Sequence, residues 1–236
     1  MKHEFAVYIE KLDLIDHILT ISNESIYHRL IRVLRITEDD QIILFNRELN
    51  ILTKVLAITK KQITFEILQK KNNQKSDLTK ITVLLSVLKQ DALEEAIYFC
   101  CELGADTIQP VLTDKIHQKK LDQKYYDRLQ KIIISAAEQS KNFCFPVINS
   151  PKSLDLILKE LPENSSRIFF DAQGDKFNSE IIRSNNIYLM FGPEGDLTDQ
   201  EKNKLKSSGF YFCALTSTIL RSQTAVALGL GIIKSV

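Results

Sequence analysis

From Ile81 onward, strand-length apolar runs alternate with stretches of helical period, and this rhythm restricts the chain to an α/β fold. Ile81–Val87 is a continuous apolar run. Asp91 opens a helix carrying Leu93, Ala96, Ile97, Cys100 and Leu103 on one face, and Gly104 stops it. Thr107–Val111 reads as the next strand, and Tyr125, Leu129, Ile132, Ile133 and Ala136 mark one face of a long helix. Further strands are expected at Phe145–Ile148, Arg167–Asp171, Ile187–Phe191 and Tyr211–Leu215, separated by helical segments. Such an order predicts a mostly parallel sheet, and ligands of these sheets sit beyond the carboxyl ends of the strands. Asp171, Gly192 and Thr216 fall at those ends.

The rhythm before this region is different. Phe5–Ile9 alternates weakly, as an edge strand does, and Asn23-Glu24-Ser25 offers a helix start followed by Ile26, Leu30, Val33 and Leu34 at helical spacing. After the polar turn Glu38-Asp39-Asp40 come strand-like runs at Gln41–Asn46, Ile51–Thr59 and Gln62–Leu68. A compact β-barrel-like module with one helix fits this pattern. Lys70–Asp77 holds no apolar residue and reads as a linker. The expected division is residues 1–72 and residues 73–236.

Composition narrows the function classes. With 236 residues, 44% hydrophobic and 26% charged, the chain is an ordinary soluble globular protein, and a net charge of +1 gives no bulk attraction for nucleic acid. Any such binding must come from local patches. The 4 cysteines, Cys100, Cys101, Cys144 and Cys213, have neither metal-ligand spacing nor a companion histidine cluster, so reduced thiols and no metal are expected. No signal peptide and no membrane-length apolar run is visible, which predicts a cytoplasmic protein.

Two sharp bends follow apolar runs near the carboxy-terminus. One is Gly192-Pro193-Glu194-Gly195, and the other is Leu215–Ala225, where a polar Arg-Ser-Gln-Thr cluster opens the last helix. Glycine lets bare backbone approach a ligand, and proline makes the bend rigid. A functionless turn would use the same residues, so the tetrapeptide alone decides little. It is not a P-loop, lacking the Gly-Lys-[Ser/Thr] ending, nor a dinucleotide fingerprint.

Taken with Cys101-Glu-Leu-Gly104, Ala136-Ala-Glu-Gln-Ser-Lys141 and His28-Arg-Leu-Ile-Arg-Val-Leu-Arg35, these segments resemble the SPOUT (trefoil-knotted) RNA methyltransferases, nearly end to end. The branch they resemble most is the RsmE family, which methylates N3 of a uridine in small-subunit (16S) ribosomal RNA. The resemblance implies a PUA-like RNA-binding domain followed by a SPOUT α/β domain whose deep knot forms the cofactor pocket. It further implies S-adenosylmethionine as donor, the small ribosomal subunit as partner, and a homodimer. Ordinary topology rules would argue against threading, so the knot rests on the likeness alone.

The likeness also distributes roles among residues. Phe170, Asp171, Met190, Phe191, Gly192, Pro193, Gly195, Leu215, Ile219 and Leu220 would hold the donor. His28, Arg29, Arg32 and Arg35 would contact RNA phosphate, and Lys115, His117, Lys119, Lys120 and Lys124 form a second basic run near a loop. Uridine N3 carries an imide proton, so a cation should stabilise charge on the uracil oxygens while a carboxylate orients a donor or accepts the proton. Arg221 or Lys141 fits the first role, Arg221 better because its planar guanidinium grips two acceptors. Glu138 or Glu194 fits the second. The sequence departs from the family at Asp196 and Thr216 (each usually Gly), Thr218 (usually Arg), Ser222-Gln223 (usually Thr-Glu) and Lys141-Asn142. Two other readings remain open: a related knotted enzyme with another RNA target, and a catalytically weakened RNA-binding or assembly factor.

Overall fold

The computed structural model describes residues 5–74, 78–115 and 122–236. Their contacts group them into two units. The first is the stretch before residue 75 joined by Ala137–Cys144, a grouping that chain order hides; the second is the remainder. Part of the expected linker, Lys75-Ser76-Asp77, lies outside the described residues, as do His117, Lys119 and Lys120 of the second basic run.

The first unit is built on a six-stranded sheet: β1 (Phe5–Tyr8), β2 (Leu14–Ile15), β3 (Ile18–Ile21), β4 (Gln41–Phe45), β5 (Leu49–Ile58) and β6 (Ile63–Asn72), in the order β1-β4-β5-β6-β3-β2. Only β1 and β4 run parallel. Period-two alternation sends Ile42, Leu44, Ile51, Val55, Ile63 and Phe65 inward, where each is essentially fully buried. Lys70, Lys71 and Asn72, expected in the linker, instead continue β6 opposite Ile51, Asn50 and Leu49. Their lack of apolar side chains reflects an exposed strand end rather than a loop.

The expected helix is present but changes pitch. α1 (Glu24–His28) starts at Asn23, whose side chain accepts from the Ile26 amide. Residues Arg29–Val33 then adopt a wider turn in which the Leu34 amide bonds the Arg29 carbonyl. The wider turn rotates Val33 off the apolar stripe, leaving it 65% exposed, while Leu30 stays in the core. Arg35, at φ 54°, ends the segment.

The second unit contains β7 (Lys80–Ser86), α2 (Gln90–Glu102), β8 (Thr107–Leu112), α3 (Gln123–Ser140, whose last residues belong to the first unit), β9 (Val147–Ile148) and β10 (Lys152–Ser153). It continues with α4 (Leu154–Glu160), β11 (Ser166–Lys176), β12 (Asn186–Phe191), α5 (Asp199–Ser207), β13 (Tyr211–Ala214) and α6 (Ser222–Lys234). The sheet order is β10-β8-β7-β12-β11-β13, with β9 beside β8, and every pairing is parallel. This sheet order places β12 between β7 and β11, and β11 between β12 and β13. The two carboxy-terminal bends become neighbours because β11 alone separates the strands they follow. Among the described residues, no helix is long and apolar enough to cross a membrane.

All four cysteines are free thiols, with Cys100, Cys101 and Cys213 buried. Burial, with the Asp175 charge adding, pushes the Cys213 thiol up to about 11 from its ordinary 9.0. The neutral thiol is thus the form that fits the fold. Its contribution is complete below the unfolded value near 9 and is lost as pH rises through about 11. The urea midpoint should fall across that window, and replacing Cys213 by Ala should flatten part of the slope.

Candidate functional site

The strands deliver their carboxyl ends to one cavity of about 1190 Å³. β11 contributes Phe169, Phe170 and Asp171; β12 contributes Phe191 and the turn Gly192–Asp196; the segment Leu215–Arg221 follows β13; and α6 closes it with Ser222, Gln223 and Ala225. Lys89 and Ala92, at the start of α2, complete the wall. The rings of Phe170 and Phe191 stack with centroids 5.0 Å apart. Gly229 on α6 permits this, because a Cβ there would lie 2.8 Å from the Phe170 ring and 3.0 Å from Phe191.

Of the residues expected to hold a donor, Phe170, Asp171, Phe191, Gly192, Pro193, Gly195, Leu215, Ile219 and Leu220 all line this cavity. Met190 does not. It lies directly before Phe191 on β12, so the pleat turns its side chain the other way, into a core with Leu84, Val111 and Leu205, where it is 0% exposed. Arg221 and Glu194 line the cavity as well.

The turn after β12 is held from several directions. Glu194 Oε1 accepts from the Lys89 amide (3.1 Å), at the N-cap of α2, so the carboxylate expected in proton transfer has a backbone partner. Lys115, expected near RNA, donates to the Gly195 carbonyl at 3.1 Å. Glu201, 3% exposed, closes a capping box with Thr198 and accepts from the Asp114 amide at 2.9 Å, which pins the start of α5 to the end of β8.

Asp196 occupies left-handed backbone at φ 60°, a conformation natural to glycine that Asp tolerates better than most residues. This explains how a non-glycine residue is accommodated there. Its Oδ1 accepts from the Leu197 amide (2.7 Å) and its Oδ2 from Lys202 (2.7 Å). Lys202 also pairs with Asp171 at 2.8 Å. Burial opposes the charge of Lys202, but hydrogen bonds and charge from Asp171 and Asp196 outweigh it and hold the ammonium above the ordinary lysine value. Sequence reading passed over Lys202, since a lysine on a polar helix carries no pattern of its own. Thr216 donates to the Thr218 carbonyl at 2.7 Å, bracing the second bend from within.

Glu138, Lys141 and the basic row lie in the first unit. Glu138 is only 8% exposed; its Oε1 accepts from the Tyr8 amide and Arg29 Nη1, both at 2.8 Å, and its Oε2 from Arg29 Nη2. Both oxygens of Glu138 are thus engaged by Tyr8 and Arg29, in an ion pair whose carboxylate is buried and whose guanidinium is partly exposed. The same pair ties Arg29 to Glu138 while leaving its side chain 43% exposed. His28, Arg32 and Arg35 are exposed, and among the described residues their side chains have no ion pair. Lys141 ends α3 in left-handed backbone (φ 56°).

The lining of the cavity suits a nucleoside carrying an amino-acid tail. It offers stacked rings, apolar side chains and glycine-lined backbone, with carboxylates at one edge. Residues 74–234 match the family model of an RNA methyltransferase domain, and residues 23–68 that of an RNA methyltransferase PUA domain. The chain is 28% identical over 217 residues to the ribosomal RNA small subunit methyltransferase E of Rickettsia conorii, covering 88% of this chain and 85% of that protein. It is 29% identical over 173 residues to the Synechocystis protein of the same name, a match that takes in 71% of this chain and spans only 57% of that relative. In three dimensions it resembles the crystal structure of ribosomal RNA small subunit methyltransferase E from Neisseria gonorrhoeae bound to S-adenosyl methionine. The TM-score is 0.87 with 25% identity, over 99% of this chain and 98% of the other.

Proposed function

The chain belongs to the RNA methyltransferase family, and from that premise we propose that it transfers the methyl group of S-adenosylmethionine to N3 of a uridine in small-subunit ribosomal RNA. The observation that carries this reading is the single cavity shared by the Gly192–Asp196 turn and the Leu215–Arg221 segment. Phe170, Phe191, Leu215, Ile219 and Leu220 would enclose the donor, the backbone of Gly192–Gly195 would contact it, and Asp171 would add a carboxylate to its site. When bound, the donor supplies an electrophilic methyl group on a sulfonium.

The protein's remaining task is to make the acceptor nucleophilic. As the imide proton leaves N3, negative charge grows on the uracil oxygens. Arg221 stands at the N-cap of α6 with its side chain exposed on the cavity. α6 has no side-chain cap, so its first amides add positive potential beside the guanidinium. Glu194 uses Oε1 to hold Lys89, and Oε2 receives the leaving proton, directly or through water. Arg32 and Arg35 present positive charge to ribosomal RNA phosphate and His28 adds a hydrogen-bonding ring, while Arg29, tied to Glu138, fixes the segment that carries them. The protein works in the cytoplasm as a homodimer; Ile219, 88% exposed at the cavity rim, is a large apolar side chain that a second copy or the target covers.

The test is a methylation assay on small subunits from cells lacking the modification, alongside naked ribosomal RNA, read by nucleoside mass spectrometry. N3-methyluridine is the expected product. A 2′-O-methyl nucleoside would reject the acceptor, and donor binding without any product would point to an assembly factor.

A further inference from the structure

Lys202 projects from α5 between two pieces of chain that meet at the donor cavity. Its ammonium lies 2.8 Å from Asp171, at the point where β11 leaves its pairing with β13, and 2.7 Å from Asp196, which closes the turn after β12. The lysine side chain is 17% exposed and Asp171 only 8%, so solvent does little to weaken that pair. Lys202 does not line the donor cavity. It lines a neighbouring one of about 660 Å³, and Asp171 and Gln173 belong to both walls. Lys202 therefore acts on the donor site from behind.

The other holds on the turn come from the opposite side: Lys89 at the start of α2, and Lys115 after β8. Beyond the β11–β12 pairing, which ends at Phe170 and Phe191, Lys202 adds an ion-pair link from the turn to β11. Asp196 is the residue that makes this junction available, since a glycine there would satisfy the backbone but offer no carboxylate.

We propose that Lys202 is a positioning residue which, by bridging Asp196 to Asp171, sets the spacing of the β12 turn from β11 and thereby the affinity of the cavity for its donor. This deepens the methyltransferase reading and rests on it for the identity of the ligand. A purely electrostatic role makes a different prediction. Removing the Lys202 charge leaves the edge more negative, which favours the cationic sulfonium donor over its uncharged thioether product, S-adenosylhomocysteine. A positional role weakens both ligands together.

The experiment compares Lys202→Met, Lys202→Arg and Asp196→Asn with the unaltered protein. Asn keeps the tolerance for left-handed backbone and the acceptor for the Leu197 amide, but cannot form the ion pair. Calorimetry should show donor and product both weakened about tenfold in Lys202→Met and Asp196→Asn, with substantial recovery in Lys202→Arg. Hydrogen exchange in the ligand-free protein should rise at Asp196 and Leu197 in the first two variants while the β12 amides keep their protection. Unchanged exchange would overturn the tether, as would a donor that binds more tightly relative to product. Should the unaltered protein bind neither ligand, the reading of the cavity fails, and exchange at the turn still decides whether Lys202 holds it.

Discussion

Replacing Arg221 by Ala is expected to lower kcat about 1000-fold, the loss typical of removing one preorganised donor from a developing oxyanion. The variant should stay folded. Arg221 sits in extended backbone (φ −64°, ψ 149°) that Ala adopts without strain, and its side chain makes no capping hydrogen bond. Exposed positions of this kind seldom matter to stability. Donor affinity should change little by calorimetry, because Arg221 is assigned to the acceptor and its charge matters mainly in the transition state. kcat and kcat/KM should therefore fall together. Arg221→Lys should retain part of the rate, since the charge remains while the planar, two-pronged geometry is lost. Turnover of Arg221→Ala close to that of the unaltered enzyme would remove the guanidinium from the mechanism and leave the amino end of α6 as the source of positive potential.

What was legible beforehand was what local pattern encodes. Continuous apolar runs marked β7, β12 and the start of β11, and the bends after β12 and β13 were read from glycine, proline and the polar Arg-Ser-Gln-Thr cluster. Parallel pairing then brings those bends together, so position alone indicated the strand ends Asp171, Gly192 and Thr216, while the family resemblance supplied the individual donor-site residues. The side-chain direction of Met190 was not legible, because neighbouring residues on a buried strand are equally apolar and pleat phase cannot be read where both faces are covered. Glu138 looked available because its partners, Tyr8 and Arg29, are more than a hundred positions away in the chain. Lys202 was invisible because a lysine on a polar helix carries no pattern of its own, and its ion pair with Asp171 forms only when α5 packs beside β11. Val33 was assigned to the apolar stripe on an assumed α-helical period, which the wider turn at Arg29–Val33 breaks.

Gly174 is the position where sequence gave no warning and the structure predicts the largest loss of stability. Phe170 and Asp175 of β11 both pair with Cys213, so the intervening residues leave the ladder as an excursion, and Asp171, Ala172 and Gln173 of that excursion line the donor cavity. Gly174 brings the chain back against β13. A Cβ there would lie 2.5 Å from the Cys213 nitrogen and 2.6 Å from the Phe212 carbonyl carbon. These are backbone atoms, which cannot rotate aside as a side chain does, so the strands themselves must separate. Gly174→Ala should cost about 3 kcal/mol or more, and for a chain of this size that lowers Tm by roughly 6–12 °C. Gly231 on α6 supplies the contrast, since a Cβ there meets nothing within 4 Å. Gly231→Ala should raise stability by up to about 1 kcal/mol, the helix-propensity gain of alanine over glycine. Opposite signs for the same chemical change separate close backbone approach from the general cost of ordering glycine. If Gly174→Ala melts as high as Gly231→Ala, then β11 and β13 do not meet at this contact and the excursion that carries Asp171 is not fixed by it.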